Sequence, residues 1–528
     1  MKDRMARGGL LAIIALLLTA PAAAAEQVLR VANPGHPASL DPHRITGVWE
    51  NRIVGDMLMG LTTEGPGGEI VPGAAQSWSV SADGLRYLFE LRAHDWSDGR
   101  PVTAEDFVYS FRRMMSGRTT SPYAQFFWVI ENGRAVTAGT LPPTALGVEA
   151  LASDRLEIRL ERPTPYFTGL LMHFAAFPVP RHAVEAHGED WTRPGNMPAN
   201  GAFRLRARAP NDHVLLEKNP HFFDAGSVRL DGVRYYGLED RDAALLRFRA
   251  GEIEVLRDFP AGQTAWLREN LPDAVRTPPY LGLSFLAVNH AREALQDVRV
   301  RRALSMAIGR HILTGRVLGS GERPAWSLVP PGTADYPAPA RVAWHDQPMS
   351  SRARRAGELM RAAGYGPAQR LSLRLRYPQS ENERRVAIAL QAMLRPVFVD
   401  LELERAETAV HYSALQQADF DLGLASWLAV YDDPQTFTLL LQTESGPNNL
   451  GNYSNPEYDR LTDAASRQDD PARRAALLRE AEALAMEVQA LLPLYHHAAR
   501  NLVSPRVLGW RDNMLDVHRS RYLGLAPD

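Results

Sequence analysis

Three short clusters in the 528-residue sequence combine residue types that can do chemistry. His496–His497 could bind a metal ion, but no further ligand stands at a suitable spacing, so a polar strand edge is the more frequent explanation. Asp41–His43 could form an acid/base pair, although Asp before Pro is more typical of a helix or turn start. Asp432–Asp433 holds two adjacent carboxylates that point in different directions and cannot share a proton. None of the three predicts a reaction centre.

The chain contains no cysteine. Disulfides, thiol nucleophiles, zinc–thiolate sites and iron–sulfur clusters are therefore excluded, and so is a lipid anchor carried on a cysteine. The metalloprotease, serine-hydrolase and P-loop motifs are absent, and the glycines of 319–321 and 364–366 do not complete a dinucleotide fingerprint. The sequence predicts a protein that binds rather than catalyses, with no metal and no cofactor.

The composition is that of an ordinary soluble protein, with 45% hydrophobic and 23% charged residues. The charges nearly balance, with 59 Lys+Arg against 61 Asp+Glu and a net charge of −2. A nucleic-acid surface needs a clustered excess of positive charge, so no nucleic-acid partner is expected. At about 150 residues per domain, the length predicts about three domains.

Residues 1–25 have the pattern of a secretory signal peptide. A basic start with Lys2, Arg4 and Arg7 precedes an apolar run over 10–18 that is too short to span a bilayer, and Ala23–Ala25 ends in a typical cleavage pattern. We expect cleavage after Ala25. No second apolar run of about 20 residues follows, so the mature chain is expected to be free in an extracytoplasmic space.

Periodicity predicts the elements that must position any site. Alternation over 85–91 and 156–160 predicts strands, and Thr103 with Asp106 predicts a capping box that opens a helix. Asp297 and Asp470 each precede a helical pattern. Strands over 371–377 and 420–427 alternate with helices over 352–363 and 384–394, which is typical of an α/β fold, and 330–339 is expected to be a surface loop or an element boundary.

Several longer motifs resemble the peptide-binding family of ABC-importer solute receptors, solute-binding protein family 5. They follow the order of that family along essentially the whole mature chain. The longest stands at Trp96–Ser110, and the others lie at Ser39–His43, Val71–Trp78, Ser121–Ala124, Pro163–Phe167, Asn200–Phe203, Glu217–Pro220, Gly251–Glu254, Asp297–Leu304 and Asn452–Asp459.

The resemblance implies an α/β, two-lobed periplasmic binding protein of type II, in the three-domain peptide-receptor subclass, with mixed sheets and a hinge. Domain I would combine 26–58, 183–284 and 505–528, an insert domain II would span 59–182, and domain III would span 285–504. It also implies a periplasmic monomer that delivers a peptide or peptide-like ligand to an inner-membrane permease with cytoplasmic ATPase subunits. Such a ligand would pair its main chain with the protein as an added strand.

The family's ligand-contacting positions can be placed residue by residue. The resemblance matches Val48, Tyr123 and Trp427 to ligand contacts, and Ser426, Leu428 and Asp432 lie in the peptide-pairing strand and its turn. Other family positions carry different residues here. The aspartate that binds the peptide ammonium falls on Val430, two arginines fall on Leu415 and Leu424, a tryptophan on Thr408 and a glutamate on Thr46.

These substitutions leave alternatives open. Either Asp432 or Asp433 reaches the amine from a shifted loop, or the ligand lacks a free α-amine, or Val430 is ordinary packing and the alignment is displaced by one or two residues. A receptor of the same fold for a non-peptide solute, such as a cell-wall fragment, opine, glycan or metal chelate, is the first alternative function. An extracytoplasmic hydrolase and a periplasmic chaperone are further alternatives.

Overall fold

The computed structural model describes residues 26–527, so the predicted signal peptide lies outside the described residues. Within that range no helix has the length and apolar character needed to cross a membrane. The elements of residues 26–199 are β1 (Val28–Asn33), α1 (Val48–Met57), β2 (Thr62–Glu64), β3 (Ile70–Pro72), β4 (Ala75–Val80), β5 (Arg86–Leu91), α2 (Ala104–Met115), α3 (Gly133–Thr137), β6 (Val148–Ala152), β7 (Arg155–Arg159), α4 (Phe167–Leu170) and α5 (Arg181–His187).

The next part of the chain, up to residue 288, adds mostly strands. They are β8 (Phe203–Ala209), β9 (His213–Lys218), β10 (Gly232–Gly237), β11 (Val255–Arg257), β12 (Val275–Arg276) and β13 (Pro279–Val288), with helices α6 (Arg241–Arg249) and α7 (Thr264–Asn270) between them.

The remainder alternates helices and strands. It contains α8 (Glu293–Gln296), α9 (Val298–Ala307), α10 (Arg310–Ile312), β14 (Arg323–Pro324), α11 (Met349–Ala362), β15 (Leu371–Pro378), α12 (Glu381–Leu394), β16 (Val399–Ala406), α13 (Thr408–Gln416), β17 (Leu422–Leu428), α14 (Gln435–Thr438), α15 (Pro456–Ser466), α16 (Pro471–Val488), β18 (Leu491–Ala498), β19 (Asn501–Val503), β20 (Val507–Leu508) and β21 (Gly524–Leu525).

Helix starts follow the capping residues in the sequence. Thr103 and Asp106 form the predicted capping box of α2, since the carboxylate of Asp106 accepts the N–H of Thr103 at 2.9 Å. Asp297 caps α9 by accepting the N–H of Arg299, and Asp470 caps α16 ahead of Pro471, whose missing N–H costs nothing at the first helical position. These three predictions are confirmed.

Two large mixed sheets and one smaller sheet organise the molecule. The seven-stranded sheet has the order β12-β19-β11-β1-β10-β9-β8, and the six-stranded sheet has the order β14-β18-β13-β17-β15-β16. A four-stranded antiparallel sheet, β4-β5-β7-β6, lies in the region predicted as the insert. The prediction placed residues 501–503 in domain III, whereas β19 pairs in the seven-stranded sheet.

Buried apolar side chains divide between two lobes. The first core joins the seven-stranded sheet with the four-stranded sheet region, and the second core draws only on residues between Leu281 and Tyr495. A smaller cluster around Phe259 also packs on the seven-stranded sheet. The links between the lobes lie side by side, because the N–H of Ala499 donates to the C=O of Pro278 at 3.0 Å. The fold is a two-lobed α/β architecture.

Candidate functional site

Strand β17 has one edge that another strand covers only in part. Its first edge pairs with β13 over the full length of β17. On its second edge, β15 pairs only with Leu422 and Gly423. From Leu424 to Leu428 no strand of residues 26–527 therefore pairs with the second edge, and this part is called the open edge below.

Alternation of the backbone turns the N–H and C=O groups of Leu424, Ser426 and Leu428 toward the open edge. Nε2 of His411 lies 2.9 Å from the C=O of Leu424, and the hydroxyl of Tyr412 accepts the N–H of Ser426 at 3.3 Å. The backbone of Leu428 stands at the end of the edge, and its side chain is 42% exposed. An extended chain can add to such an edge as a further strand.

The segment that follows β17 enters a cavity of about 110 Å³ between the lobes. Four predicted ligand-contacting residues, Thr46, Val48, Tyr123 and Val430, line this cavity together. The structure thus brings together residues that are far apart in the chain and come from both lobes. The other lining residues are Asn51, Arg52, Glu64, Met172, His173, Phe174, Tyr280, Ala429 and 515–519.

Tyr123 is held in place at the wall of the cavity. Its hydroxyl donates to the C=O of Thr46 at 2.9 Å. Its ring meets those of His173 and Phe174 edge-on, with ring centroids 4.7 and 5.2 Å apart. Val48, the first residue of α1, is 49% exposed. The wall therefore presents a fixed aromatic edge and an exposed aliphatic side chain to the space between the lobes.

The carboxylates that line the cavity already have arginine partners. Glu64 pairs with Arg519 through two hydrogen bonds of 2.7 and 3.0 Å, and Asp516 accepts from Arg257 at 2.6 Å. Burial alone would raise the pKa of each carboxyl, but the guanidinium partners hold it below its ordinary value. Arg52 adds a longer contact of 3.4 Å to Asp516.

Histidines of the cavity carry no charge at neutral pH. Burial lowers the pKa of His173 to about 3, and it does the same for His518, with the nearby Arg257 adding to the effect. Gly55 makes room for the side chain of Arg519 in its ion pair with Glu64, because a Cβ on Gly55 would lie 1.6 Å from Nη1 of Arg519. With Val430 uncharged, no lining carboxylate is left over for a ligand ammonium.

Leu415 and Leu424 lie in the second core and not at the cavity. They are 0% and 1% exposed, and Leu415 packs so closely on Gly423 that a Cβ there would lie 2.5 Å from Cδ2 of Leu415. Leu424 is a buried residue of β17 itself, and Leu415 of α13 packs against that strand at Gly423. Thr408 is the exposed first residue of α13, and it too stands away from the cavity lining.

Side chains of β17 alternate between its two faces. The hydroxyl of Ser426 shares a hydrogen bond with that of Ser284 at 2.6 Å, and Nε2 of His497 lies 2.9 Å from the same Ser284 hydroxyl. The indole N–H of Trp427 donates to Oγ1 of Thr436 at 3.2 Å, and its ring is half-buried against the second core.

The two aspartates after β17 differ in their partners. Asp433 forms a two-hydrogen-bond ion pair with Arg474, at 2.7 and 2.8 Å. Asp432 accepts the N–H of Ala334 at 2.9 Å, and burial raises its pKa to about 6. The structure places Val430 in the cavity lining and neither aspartate there.

Sequence reasoning missed the aromatic and charged residues that complete the cavity. His173, Phe174, Tyr280 and the C-terminal residues 515–519 line it, and no motif marks them. The lobes also meet through stacked rings, since the ring centroids of Tyr166 and Tyr431 are 5.2 Å apart with the planes 4° from parallel. Tyr431 directly follows Val430, so the turn after β17 contacts the other lobe.

Comparisons with known proteins cover nearly the whole chain. The model of the bacterial extracellular solute-binding proteins, family 5 Middle, matches residues 69–449. The periplasmic murein peptide-binding protein MppA of Escherichia coli is 38% identical over 491 residues, which are 92% of this chain and 90% of MppA. The probable deoxycholate-binding periplasmic protein YgiS of the same organism is 34% identical over 491 residues, 92% of this chain and 91% of YgiS.

Solved structures agree with these sequence relatives. The unliganded open form of MppA superposes with a TM-score of 0.85 at 36% identity, covering 95% of this chain and 98% of that chain. Haemophilus influenzae OppA in complex with the peptide RPPGFSPFR superposes with a TM-score of 0.78 at 29% identity, covering 95% and 99%. The two-lobed fold is thus shared with these proteins over almost its full length.

Proposed function

The chain belongs to the bacterial extracellular solute-binding proteins of family 5, and on that basis we propose that it is a periplasmic receptor of an ABC importer. It binds a peptide or peptide-like ligand between its lobes and delivers it to an inner-membrane permease driven by cytoplasmic ATPase subunits. It acts as a monomer, without catalysis, after removal of residues 1–25 on export. Closure of the lobes over the ligand is the signal that the permease reads.

The open edge of β17 is the observation that carries this proposal. It ends at Leu428, directly before Ala429 and Val430 at the cavity between the lobes. Main-chain pairing along such an edge supplies affinity that is independent of ligand sequence. Tyr123 and Val48 form the opposing wall, while Leu415 packs against the strand at Gly423.

Val430 restricts which ligand end can occupy the cavity. An ammonium buried beside it would have no carboxylate of its own, because Glu64 and Asp516 already hold arginines. Leaving such a charge unpaired costs on the order of 3–5 kcal/mol. We therefore propose a ligand whose α-amine is blocked, as in an N-acylated peptide or an acylated cell-wall fragment.

Leu428→Pro tests the main-chain pairing. Proline removes the N–H that faces the open edge and leaves the pairing with β13 intact, because that pairing uses the alternate residues. Isothermal titration with a pool of N-acetylated tri- to pentapeptides is expected to show that the mature wild-type protein binds them. The affinity of the variant should be about 100-fold lower, equivalent to about 3 kcal/mol. Leu428→Ala keeps the N–H and is the matched control. Binding that survives the proline unchanged contradicts the proposal.

A non-peptide ligand is the second candidate, because YgiS, at 34% identity, is named a probable deoxycholate-binding protein. The apolar cavity residues Val430, Ala429 and Met172 are compatible with such a solute. A tryptophan-fluorescence screen of cell-wall fragments and amphipathic carboxylates, set beside the peptide pool, separates the candidates. Saturable responses to solutes that lack a peptide main chain, without a response to peptides, favour the second candidate.

A further inference from the structure

A partly buried carboxylate, one of whose oxygens is buried without a partner, stands near the open edge of β17. Glu383 is in the first turn of α12, and its Oε2 is buried without any hydrogen-bond donor. Among residues 26–527 no lysine or arginine nitrogen forms an ion pair with it. Its helix neighbours Glu381 and Arg384 pair with each other at 2.8 Å on the solvent side. A buried carboxylate oxygen is normally hydrogen-bonded, so Oε2 of Glu383 needs an explanation.

Helix capping does not provide one. Glu383 holds the third helical position after the capping residue Ser380, where a glutamate usually reaches back to the N–H of the cap. Here Ser380 donates its own N–H to the C=O of Pro378 instead. The backbone N–H of Glu383 donates to the Ser380 hydroxyl at 3.2 Å, and its carboxylate takes no part in the cap.

Two tyrosines place this carboxylate beside the open edge. Burial raises the pKa of both Tyr412 and Tyr495, and the negative charge of Glu383 adds to each shift. Tyr412 holds the N–H of Ser426 on the open edge. Glu383 is therefore a neighbour of the backbone to which we assign the ligand.

The chain path explains why this carboxylate meets the edge. Strand β15 leaves β17 after Arg376 pairs with Gly423, and the chain turns at 379–380 into α12. Because β15 and β17 run parallel, the turn after β15 brings the start of α12 to the same end of the sheet as the open edge. The helix N-terminus also favours a negative charge in its first turn.

We propose that Glu383 recognises a cationic group of the ligand, an ammonium or guanidinium, in a subsite beside the open edge of β17. The inference rests on the proposed function and deepens it, because it assigns the cation preference of the cleft to α12 and not to the position of Val430. A ligand side chain projecting from a main chain paired with β17 supplies the group. The tyrosine hydroxyls of Tyr412 and Tyr495 supply polar surroundings without competing charge.

The proton equilibrium of Glu383 makes this subsite sensitive to pH. Burial raises the pKa of its carboxyl to about 7. The groups that face it are the neutral Tyr412 and Tyr495, and the next carboxylate, Glu322, acts on Tyr495. A carboxyl that is mostly protonated at pH 6 and mostly ionised at pH 8 binds a cation roughly tenfold more tightly at the higher pH.

Matched peptides test the subsite. The probes are N-acetylated, C-amidated tripeptides of alanine with lysine at the first, second or third position, and the same three with norleucine. By isothermal titration at pH 8, one lysine peptide is expected to bind the wild type at least tenfold more tightly than its norleucine match. Glu383→Gln should abolish that preference and change the norleucine affinity less than twofold.

The control is Glu381→Gln, which changes an exposed glutamate two residues earlier in the same helical turn. This variant should preserve the preference for the lysine peptide. Equal binding of lysine and norleucine peptides by the wild type, or a preference that survives in Glu383→Gln, overturns the subsite while leaving the peptide-receptor function in place. If neither series binds at any concentration, the proposed function falls and the subsite falls with it.

Discussion

Desolvation raises the carboxyl pKa of two glutamates of the second lobe to about 7, the fully buried Glu482 and the partly buried Glu383, yet their surroundings are opposite. Glu482 of α16 accepts three hydrogen bonds, from the N–H of Val329 at 2.8 Å, the N–H of Ala340 at 2.6 Å and the hydroxyl of Tyr336 at 2.7 Å. Oε2 of Glu383 accepts none.

The difference separates a structural carboxylate from a binding one. Glu482 ties the loop over 328–340 to α16, so its charge is used within the fold. Glu383 stands where β15 and β17 diverge, and nothing in the described chain uses its charge. Burial alone therefore does not identify a functional acid, whereas burial without a partner beside an unpaired strand edge does.

Of the substitutions that test this difference, Glu482→Leu is expected to change the free energy of unfolding most. The substitution leaves two backbone N–H groups and the Tyr336 hydroxyl without an acceptor, which should lower the free energy of unfolding by about 4 kcal/mol. Urea denaturation at pH 7 measures it. Glu480→Leu, exposed on the same helix, should stay within about 0.5 kcal/mol. Equal losses in both variants would mean that the three hydrogen bonds contribute little.

Glu383→Gln should raise the free energy of unfolding, whereas Glu482→Leu should lower it. A carboxyl pKa raised from 4.5 to about 7 means that the folded state holds the proton more tightly, so the wild type loses stability as the pH rises through that window. The variant escapes this loss and should be more stable at pH 8 by up to about 3 kcal/mol, with no difference near pH 4. Thermal unfolding across that range measures the gain.

The remaining pH dependence provides the internal check. Glu482 keeps its own raised pKa in the Glu383→Gln variant, so part of the decline between pH 4.5 and 7 should persist. A variant that is less stable than the wild type at pH 8 would show that the Glu383 carboxylate has a partner within the fold.

Double-mutant cycles should show the smallest effects. Tyr336→Phe combined with Glu482→Gln should give a coupling of about 1.5 kcal/mol, because a hydroxyl donates directly to the carboxylate. Tyr412→Phe combined with Glu383→Gln should couple by less than about 0.5 kcal/mol, since the hydroxyl of Tyr412 accepts from Ser426 and no bond joins it to Glu383. Both are measured by urea denaturation, and equal couplings would erase the distinction.

Much of the fold could be predicted from the sequence because its signals are local. The capping residues Thr103, Asp297 and Asp470 predicted three helix starts, and period-two alternation located β5 and β7. The ends of helices were predicted less accurately than their starts. After Asp297, apolar residues recur at helical spacing from Val300 to Ile312, which predicts one helix, whereas α9 ends at Ala307 and a separate short helix follows from Arg310.

Non-local features could not be predicted. The loop over 330–339 was expected at the surface or an element boundary, yet Tyr336 is buried, because its hydroxyl meets Glu482 far along the chain. The cavity draws on residues from 46 to 519, and only the family resemblance brought Thr46, Val48, Tyr123 and Val430 together in advance. The burial of Leu415 depends on its packing on Gly423, which no sequence period shows.

The central feature proposed for this receptor is a cleft that binds its ligand without recognising a free α-amine. Isothermal titration of the mature protein with tri- to pentapeptides, in free-amine and N-acetylated forms of the same pool, tests this directly. The acetylated peptides are expected to bind at least as tightly as the free-amine peptides, because Val430 offers the ammonium no carboxylate. Sub-micromolar binding of the free-amine peptides together with no binding of the acetylated ones would contradict it.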